Sequence, residues 1–140
     1  MKQISDSLYV APQLTADGIR QARAQGFALI INNRPDGEEP GQPSAADNRS
    51  VAEGGQLAYA HIPVTAGQIS EGQVRAFQEA LSEAEGPVLA HCKTGTRSAM
   101  LYAIREVLDG RMSKGEVVPF GQSVGLDLSG AVMWLDAHGR

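Results

Sequence analysis

The chain is poor in cysteine: Cys92 is the one cysteine among its 140 residues. A single cysteine excludes an intramolecular disulfide and any metal site built on two thiolates. His61 and His138 have no Asp, Glu or Cys at a metal-ligand spacing, so we interpret them as structural or surface residues and expect no metal or other cofactor. Cys92 is therefore either a small buried hydrophobic residue or a nucleophile.

Positive charge is also scarce. The sequence has 12 Lys and Arg against 16 Asp and Glu, a formal net charge of −4, and no run of basic residues. Proteins that bind a phosphate backbone need a basic surface, so neither nucleic acid nor an anionic membrane is an expected partner. No apolar stretch approaches the roughly 20 residues that span a bilayer, and the first residues do not resemble a signal peptide. We therefore expect a cytoplasmic protein.

Length and hydrophobic patterning predict one α/β domain that covers residues 1–140. At roughly 100 to 200 residues per domain, a second domain would not fit easily. Short apolar runs alternate with segments of helical spacing, and this order favours a largely parallel sheet of four to five strands with helices on both faces. The predicted strands are residues 8–10, 27–31, 57–64 and 88–90.

Capping residues mark the expected helix starts. Thr15 stands in an N-cap position, and Ser70 and Ser113 each begin a capping box. Pro119 costs roughly 3 kcal/mol inside a helix, so the sequence predicts a short or broken helix after Ser113. The predicted helices follow Thr15, Ser44, Ser70, Ser98 and Ser113, and a last one covers residues 131–137.

The segment of residues 91–98, His-Cys-Lys-Thr-Gly-Thr-Arg-Ser, lies between a predicted buried strand and a predicted helix. Ligands bind at this position in α/β sheets, because the free N–H groups and positive dipole end of a helix attract anions. The same field favours the thiolate form of Cys92, which is the nucleophilic form. Gly95 lets the backbone turn its amides inward, and the Arg97 guanidinium can grip two oxygens of an anion.

The remaining residues of this segment are expected to support the same site. The alternative is structural, with a buried cysteine at the end of a strand and an ordinary helix entry at Gly95. The order of Cys, Gly and Arg favours the catalytic interpretation, since it supplies a nucleophile, an amide cup and a charged clamp together. His91 is expected to orient the loop rather than accept the proton, and the predicted anion-binding residues are Lys93, Thr94, Gly95, Thr96, Arg97 and Ser98.

The pattern His-Cys-x-x-Gly-x-Arg-Ser after a buried strand resembles the signature of the cysteine-dependent protein phosphatases. More closely, residues 33–37, 61–64 and 91–98 resemble the phosphatase-like domain family of beta-lactamase-hydrolase-like proteins. The resemblance extends over residues 2–110 and only loosely over the tail. It implies the dual-specificity phosphatase fold, with the active loop between the last strand and the following helix. Members are also described as sulfur transferases, and the domain occurs fused to rhodanese or metallo-hydrolase modules of sulfide oxidation.

Two departures from the phosphatase pattern bear on the chemistry. Four residues separate Cys92 from Arg97, one fewer than in the protein-tyrosine phosphatases, and this shorter loop resembles the loop that holds a cysteine persulfide in rhodaneses. The loop of residues 61–70, where phosphatases carry their general acid, has no carboxylate. Loss of a general acid costs about 10² to 10⁴ in rate when the leaving group is basic, whereas sulfite or a thiolate leaves without protonation.

The turn-rich loop after the second predicted strand offers two further candidates. Asp36 could replace the missing acid if this loop folds over Cys92, but an Asp before Gly is also a common turn residue. Arg34 is either a second contact to the anion or a residue that anchors the loop. Whether residues 34–44 close over the site stays open at this point.

Three functions are consistent with these residues. The first is sulfur transfer through a Cys92 persulfide, and the second is phosphomonoester hydrolysis through a phosphocysteine at Cys92. The third is a non-catalytic anion-binding module. Because the chain has no second thiol, sulfur transfer needs an outside acceptor. The expected partners are a small anionic or persulfide substrate, a low-molecular-weight thiol such as glutathione, and a sulfide-oxidation enzyme.

Overall fold

Five strands form one sheet in the computed structural model, which describes residues 1–140. The strand order is β1-β2-β5-β3-β4, and every pair is parallel except β1 with β2. This arrangement confirms the predicted α/β class with a largely parallel sheet. The sequence analysis missed β1, a two-residue edge strand. The strands are β1 (Lys2–Gln3), β2 (Leu8–Ala11), β3 (Leu29–Asn32), β4 (Ala58–His61) and β5 (Val88–His91).

Six helices connect and cover these strands, and three of them begin at the predicted caps. Thr15 accepts a hydrogen bond from the backbone N–H of Gly18, and Ser70 and Ser113 form the predicted capping boxes with Gln73 and Glu116. Ser44, where a helix was predicted to begin, is the N-cap of α2. None of the six helices has the length and apolar character needed to cross a membrane. The helices are α1 (Ala16–Ala24), α2 (Ala45–Gly54), α3 (Glu71–Glu83), α4 (Thr96–Leu108), α5 (Lys114–Ser123) and α6 (Ser129–Ala137).

The two faces of the sheet are covered by different helices. Successive side chains of a strand point to opposite faces of the sheet. On one face, Ile30 and Leu89 pack with residues of α1 and α2. On the other face, Ile31 and Ala90 lie in the larger core, with residues of α3, α4, α5 and α6. All four of these side chains are buried. The continuous apolar runs of the sequence therefore mark strands that are covered on both faces.

The parallel register brings the ends of the central strands together. Ala11 of β2 and Asn32 of β3 both pair with His91, the last residue of β5. The segment that follows β5 is therefore flanked by the loops that follow β2 and β3. This edge of the sheet is where ligands bind in open α/β folds.

The tail contains the short helix that was expected after Ser113. This helix, α5, has ten residues and continues through Pro119 without a break. Pro119 removes the hydrogen bond to the carbonyl of Gly115, but Gly115 is exposed and water can satisfy that carbonyl. The helix is held from its other side, because Val117 is fully buried in the core against α4 and α6.

Close packing at the end of α5 predicts a clear difference between two glycines of this helix. A Cβ at Gly121 would lie 2.6 Å from the carbonyl oxygen of Leu126 and 2.7 Å from Cγ of the buried Leu128, whereas a Cβ at Gly115 would meet nothing within 4 Å. We expect Gly121→Ala to lower the free energy of unfolding by about 1 to 3 kcal/mol. Gly115→Ala should leave it unchanged or raise it by up to about 1 kcal/mol. Urea unfolding of both variants tests this, and equal stabilities would contradict the packing described.

Candidate active site

Cys92 lies at the carboxyl end of the central strand β5, in the loop that leads into α4. Its side chain is fully buried, and its Sγ accepts a hydrogen bond from the backbone N–H of Gly95 at 3.0 Å. The sulfur thus faces the amides at the start of a 13-residue helix instead of the apolar core. The sulfur therefore lies where a helix N-terminus presents N–H groups to a bound atom.

Gly95 shapes this loop through its backbone conformation. It is the N-cap of α4 and has φ = +95°, in the left-handed region that residues with a Cβ rarely adopt. The turn directs its N–H toward Cys92. The loop is tied to the rest of the sheet by the bond from the N–H of Gln13 to the carbonyl of Lys93, at 3.2 Å.

Three separate segments of the sequence meet at this edge of the sheet. The backbone N–H of Asn33 donates to the carbonyl of His91 at 2.7 Å, and the N–H of Val64 donates to the carbonyl of Asn33 at 2.9 Å. The hydroxyl of the buried Ser98 donates to Oδ1 of Asn33 at 2.8 Å. Residues 33–37, 61–64 and 91–98 therefore form one polar assembly at the edge of the sheet.

The guanidinium of Arg97 is held by a carboxylate of the same chain. Nη1 and Nη2 of Arg97 lie 2.7 and 2.8 Å from the two carboxylate oxygens of Glu38, and Nη1 also donates to the carbonyl of Val64 at 2.8 Å. The hydrogen bond to Glu38 is the main cause that raises the pKa of Arg97, and the neighbouring Cys92 raises it further. Arg97 is thus fixed beside the sulfur by contacts on two loops.

Arg34 is a second, deeply buried arginine at this site. Its side chain is 1% exposed, and its Nε lies 2.8 Å from the same Glu38 carboxylate. Nη1 donates to Oε1 of Gln13 at 3.1 Å, and Nη2 forms an ion pair with Glu39 at 3.0 Å. Burial by itself lowers the pKa of Arg34. The hydrogen bonds and charges of Glu38 and Glu39 together have a larger effect, so the pKa of Arg34 is raised. Arg34 therefore anchors the loop, one of the two roles considered for it.

Glu38 was not singled out by the sequence analysis, although it bridges both arginines. The hydrogen bond from Arg97 is the main cause that lowers its pKa to about 2, with a further contribution from Arg34 against the cost of burial. Its position four residues after Arg34, in a loop that follows a central strand, was the available signal. Glu38 and Arg97 are 59 residues apart in sequence, so no local sequence pattern indicates their contact.

Asp36, the candidate general acid, makes a different contact. Its Oδ1 accepts a hydrogen bond from the backbone N–H of Ala45, at the start of α2, at 2.8 Å. This is the contact of a turn or capping residue. A catalytic role for Asp36 stays a prediction.

The other residues of the loop are placed as follows. Thr94 and Thr96 are hydrogen-bonded to each other through their hydroxyls, at 3.2 Å, and Lys93 lies 3.5 Å from Glu39. His91 is fully buried, and its Nδ1 lies 3.4 Å from the carbonyl oxygen of Cys92, a contact of the kind that its predicted orienting role requires. Burial lowers the pKa of His91 to about 4, so its imidazole is neutral at neutral pH.

The opening above the loop is a shallow cleft of about 390 Å³. Three cationic side chains and one carboxylate surround it, and no group of three His, Cys, Asp or Glu side chains is placed to hold a metal. The arrangement suits a small anion that takes the place of the Glu38 carboxylate, with the helix amides and the sulfur beneath it. The cleft is lined by Arg34, Glu38, Thr65, Ala66, Lys93 and Arg97.

The bridge between two arginines predicts a pH-dependent loss of stability on removal of Glu38. Glu38→Gln should lower the free energy of unfolding by about 1 to 2 kcal/mol at neutral pH, because the buried Arg34 loses one of its two carboxylate partners and Arg97 loses its ion pair. The pKa of Glu38 is lowered from 4.5 to about 2, so its contribution is complete above 4.5 and is lost as the pH falls toward 2. Urea unfolding across this range should show the difference from wild type shrinking in acid.

The control for this experiment is Glu53→Gln. Glu53 is exposed and lies 3.9 Å from Arg49 one helical turn away, so its removal should change stability by less than about 0.5 kcal/mol. A Glu38→Gln variant as stable as the Glu53→Gln variant at neutral pH would contradict the bridging role.

Solved structures share this fold. A protein of Neisseria meningitidis z2491, provisionally named a phosphatase, is 36% identical, with a TM-score of 0.85 over 97% of this chain and 96% of that one. TpbA of P. aeruginosa is 19% identical, with a TM-score of 0.65 over 96% of this chain and 89% of its own, and Tk-PTP has a TM-score of 0.71 at 17% identity, over 98% and 93%. The latter two show the phosphatase fold alone.

Curated relatives carry the sequence of this chain as part of a longer protein. The beta-lactamase hydrolase-like protein of Agrobacterium fabrum is 46% identical over 134 residues, and that of Xylella fastidiosa strain 9a5c is 44% identical over 133. These matches cover 96% and 95% of this chain but only 31% of either relative. The model of the phosphatase-like domain of beta-lactamase hydrolase-like proteins matches residues 1–109, and the chain belongs to this family.

Proposed function

We propose that the protein is a cysteine-dependent phosphatase that hydrolyses phosphomonoesters of acidic alcohols such as phenols. The observation that carries this proposal is the Cys92 sulfur, which accepts the Gly95 N–H at the start of α4 with Arg97 fixed beside it. Membership in a phosphatase-like family and the shared fold support it.

The reaction proceeds through a covalent intermediate. The Cys92 thiolate attacks phosphorus, so that an S–P bond forms and the P–O bond to the leaving group breaks. The amides at the start of α4 and the Arg97 guanidinium stabilise the charge on the phosphoryl oxygens. Water then attacks the phosphocysteine and releases inorganic phosphate and the thiolate.

The substrate anion competes with Glu38 for Arg97. Both terminal nitrogens of Arg97 are bonded to the Glu38 carboxylate, so a phosphoryl group gains its full contact with Arg97 only when that carboxylate yields one or both positions. Arg34 keeps Glu38 nearby, and Glu38 can return after product release.

No acidic side chain is placed to protonate a leaving group. Asp36 is bonded to the backbone of α2, and Glu38 has a pKa of about 2 and is ionised at neutral pH. A leaving group must therefore be stable as an anion, which favours aryl esters over alkyl esters. This is why the proposal names phenols and not simple alcohols.

Hydrolysis should depend on Cys92 and on the acidity of the leaving group. Cys92→Ser should lower kcat by about a thousandfold or more, and kcat/KM should fall by roughly a hundredfold or more from 4-nitrophenyl phosphate to ethyl phosphate. Arg97→Lys should also lower kcat/KM measurably. Arg111→Lys, which changes a surface ion pair, should leave kcat/KM unchanged. Steady-state kinetics measure the three variants and the two esters. Equal rates for 4-nitrophenyl phosphate and ethyl phosphate would show that a general acid does act.

Sulfur transfer is the second candidate, and the short loop favours it. Four residues separate Cys92 from Arg97, and sulfite or a thiolate leaves without an acid. The Cys92 thiolate would attack the outer sulfur of thiosulfate or of a low-molecular-weight persulfide, and the donor's S–S or S–SO₃ bond breaks with its electron pair on the leaving group. A thiol such as glutathione then takes the outer sulfur from the Cys92 persulfide and restores the thiolate.

Intact-protein mass spectrometry separates this candidate from the first. After brief exposure to thiosulfate or glutathione persulfide, sulfur transfer predicts a gain of one sulfur atom that added thiol removes and that Cys92→Ser abolishes. A phosphatase without this activity shows no such adduct. Absence of both the adduct and Cys92-dependent hydrolysis would favour the non-catalytic anion-binding module.

A further inference from the structure

A second cavity, the apolar groove, lies between α6, the start of α4 and the loop that joins β4 to α3. It has a volume of about 490 Å³, in the range of small-molecule sites, and no Asp, Glu, Lys or Arg lines it. Met133 in this groove is 71% exposed, and Met1 is the only other large hydrophobic side chain that is exposed. The residues that line it include Ala66, Met100, Met133, Trp134 and Ala137.

The apolar groove adjoins the cleft above Cys92. Ala66 lines both. Met100 of the groove follows Arg97 by three residues on α4, which places the two side chains on the same face of that helix. A molecule with its anion at Arg97 can therefore extend along Ala66 toward Met100.

The walls of the groove suit an apolar group that can vary in shape. Met100 and Met133 have flexible thioether side chains that adapt to different occupants. Trp134 is fixed, because its Nε1 donates to the carbonyl of Ile69 and its ring stacks on His138 at 3.8 Å between centroids. The groove thus combines one rigid aromatic wall with two adaptable ones.

We propose that the apolar groove binds the apolar part of a substrate whose anionic group lies at the Cys92 loop. The substrate class is an amphiphilic monoester, an aryl phosphate that carries an alkyl chain or a second ring. This assignment rests on the proposed function for the reaction, but the binding geometry does not require turnover. The absence of charged residues from the groove excludes a second ionic group at that end of the substrate.

The single tryptophan makes binding measurable without catalysis. Trp134 is the one Trp of the chain, so intrinsic fluorescence reports on the groove directly. The probes are phenylphosphonate and its 4-ethyl, 4-butyl and 4-hexyl derivatives, titrated into the Cys92→Ser protein. Affinity should rise by about fourfold for each methylene that is buried, until the groove is filled.

Two phenylalanine substitutions form a matched pair for this test. Ala137→Phe fills the groove from the exposed end of α6, and Ala24→Phe adds the same side chain at an exposed position of α1 on the other face of the sheet. Ala137→Phe should abolish the gain with chain length and leave the affinity for phenylphosphonate unchanged. Ala24→Phe should retain the full gain.

Several outcomes would overturn the proposal. One is equal affinity for all four phenylphosphonates. A second is a rise of affinity with alkyl length that Ala137→Phe does not affect. A third is binding of 4-hexylphenol, which lacks the anion, as strong as that of 4-hexylphenylphosphonate. A dimer that sedimentation detects in the wild type but not in Ala137→Phe would assign the groove to a second copy of the chain.

The proposed function can fail separately. If affinity rises with alkyl length but the wild type shows no Cys92-dependent hydrolysis, the groove proposal is supported and the phosphatase proposal is rejected. Hydrolysis of phenyl phosphate without any gain in the series would reject the groove and retain the phosphatase.

Discussion

The carboxylate of Glu38, held between Arg34 and Arg97, is the contact on which the site depends. It joins the loop after β3 to the start of α4, and Arg97 extends the connection to Val64 in the loop after β4. Arg34 in turn reaches Gln13 after β2. A buried guanidinium is costly unless it is paired, and Arg34 is paired with both Glu38 and Glu39. Glu38 is the carboxylate that also binds Arg97, so it joins the loops that meet over the sulfur.

The same bridge supports the proposal that the substrate is an anion. The two arginines are already oriented toward a planar group with two oxygens, and that group is supplied by the protein itself. In the proposed reaction an oxyanion of similar geometry replaces Glu38 at Arg97, whereas a neutral molecule would leave charged groups unpaired. The Cys92 side chain is fully buried in this arrangement. The proposal therefore requires that displacement of Glu38 by the substrate makes the sulfur accessible.

Local patterns carried most of the correct predictions. The apolar run of β5, the glycine turn and the following helix are adjacent in sequence, so the position of residues 91–98 between a buried strand and a helix could be predicted without the fold. Anion binding by this loop stays a prediction. The continuity of α5 through Pro119 and the pairing of β1 depend on tertiary packing and could not be predicted this way. The Glu38 bridge was missed for the same reason, since its partner Arg97 is 59 residues away. Asp36 was considered as an acid because its loop could fold over Cys92, and its contact with the N–H of Ala45 is that of a turn residue. Its catalytic role stays a prediction.

In the proposed reaction, the site and the apolar groove restrict the substrate from two independent directions. At the sulfur, Glu38 is ionised and Asp36 is bonded to the N–H of Ala45, so the proposal uses no general acid and expects a leaving group that is stable as an anion. Beyond Ala66, the groove offers Trp134 and two methionines but no charge, so the body of the leaving group must be apolar. A phenol with an apolar substituent satisfies both conditions, because its ring stabilises the departing oxygen and also buries apolar surface. Simple alkyl esters fail the first condition, and esters with a second ionic group fail the second.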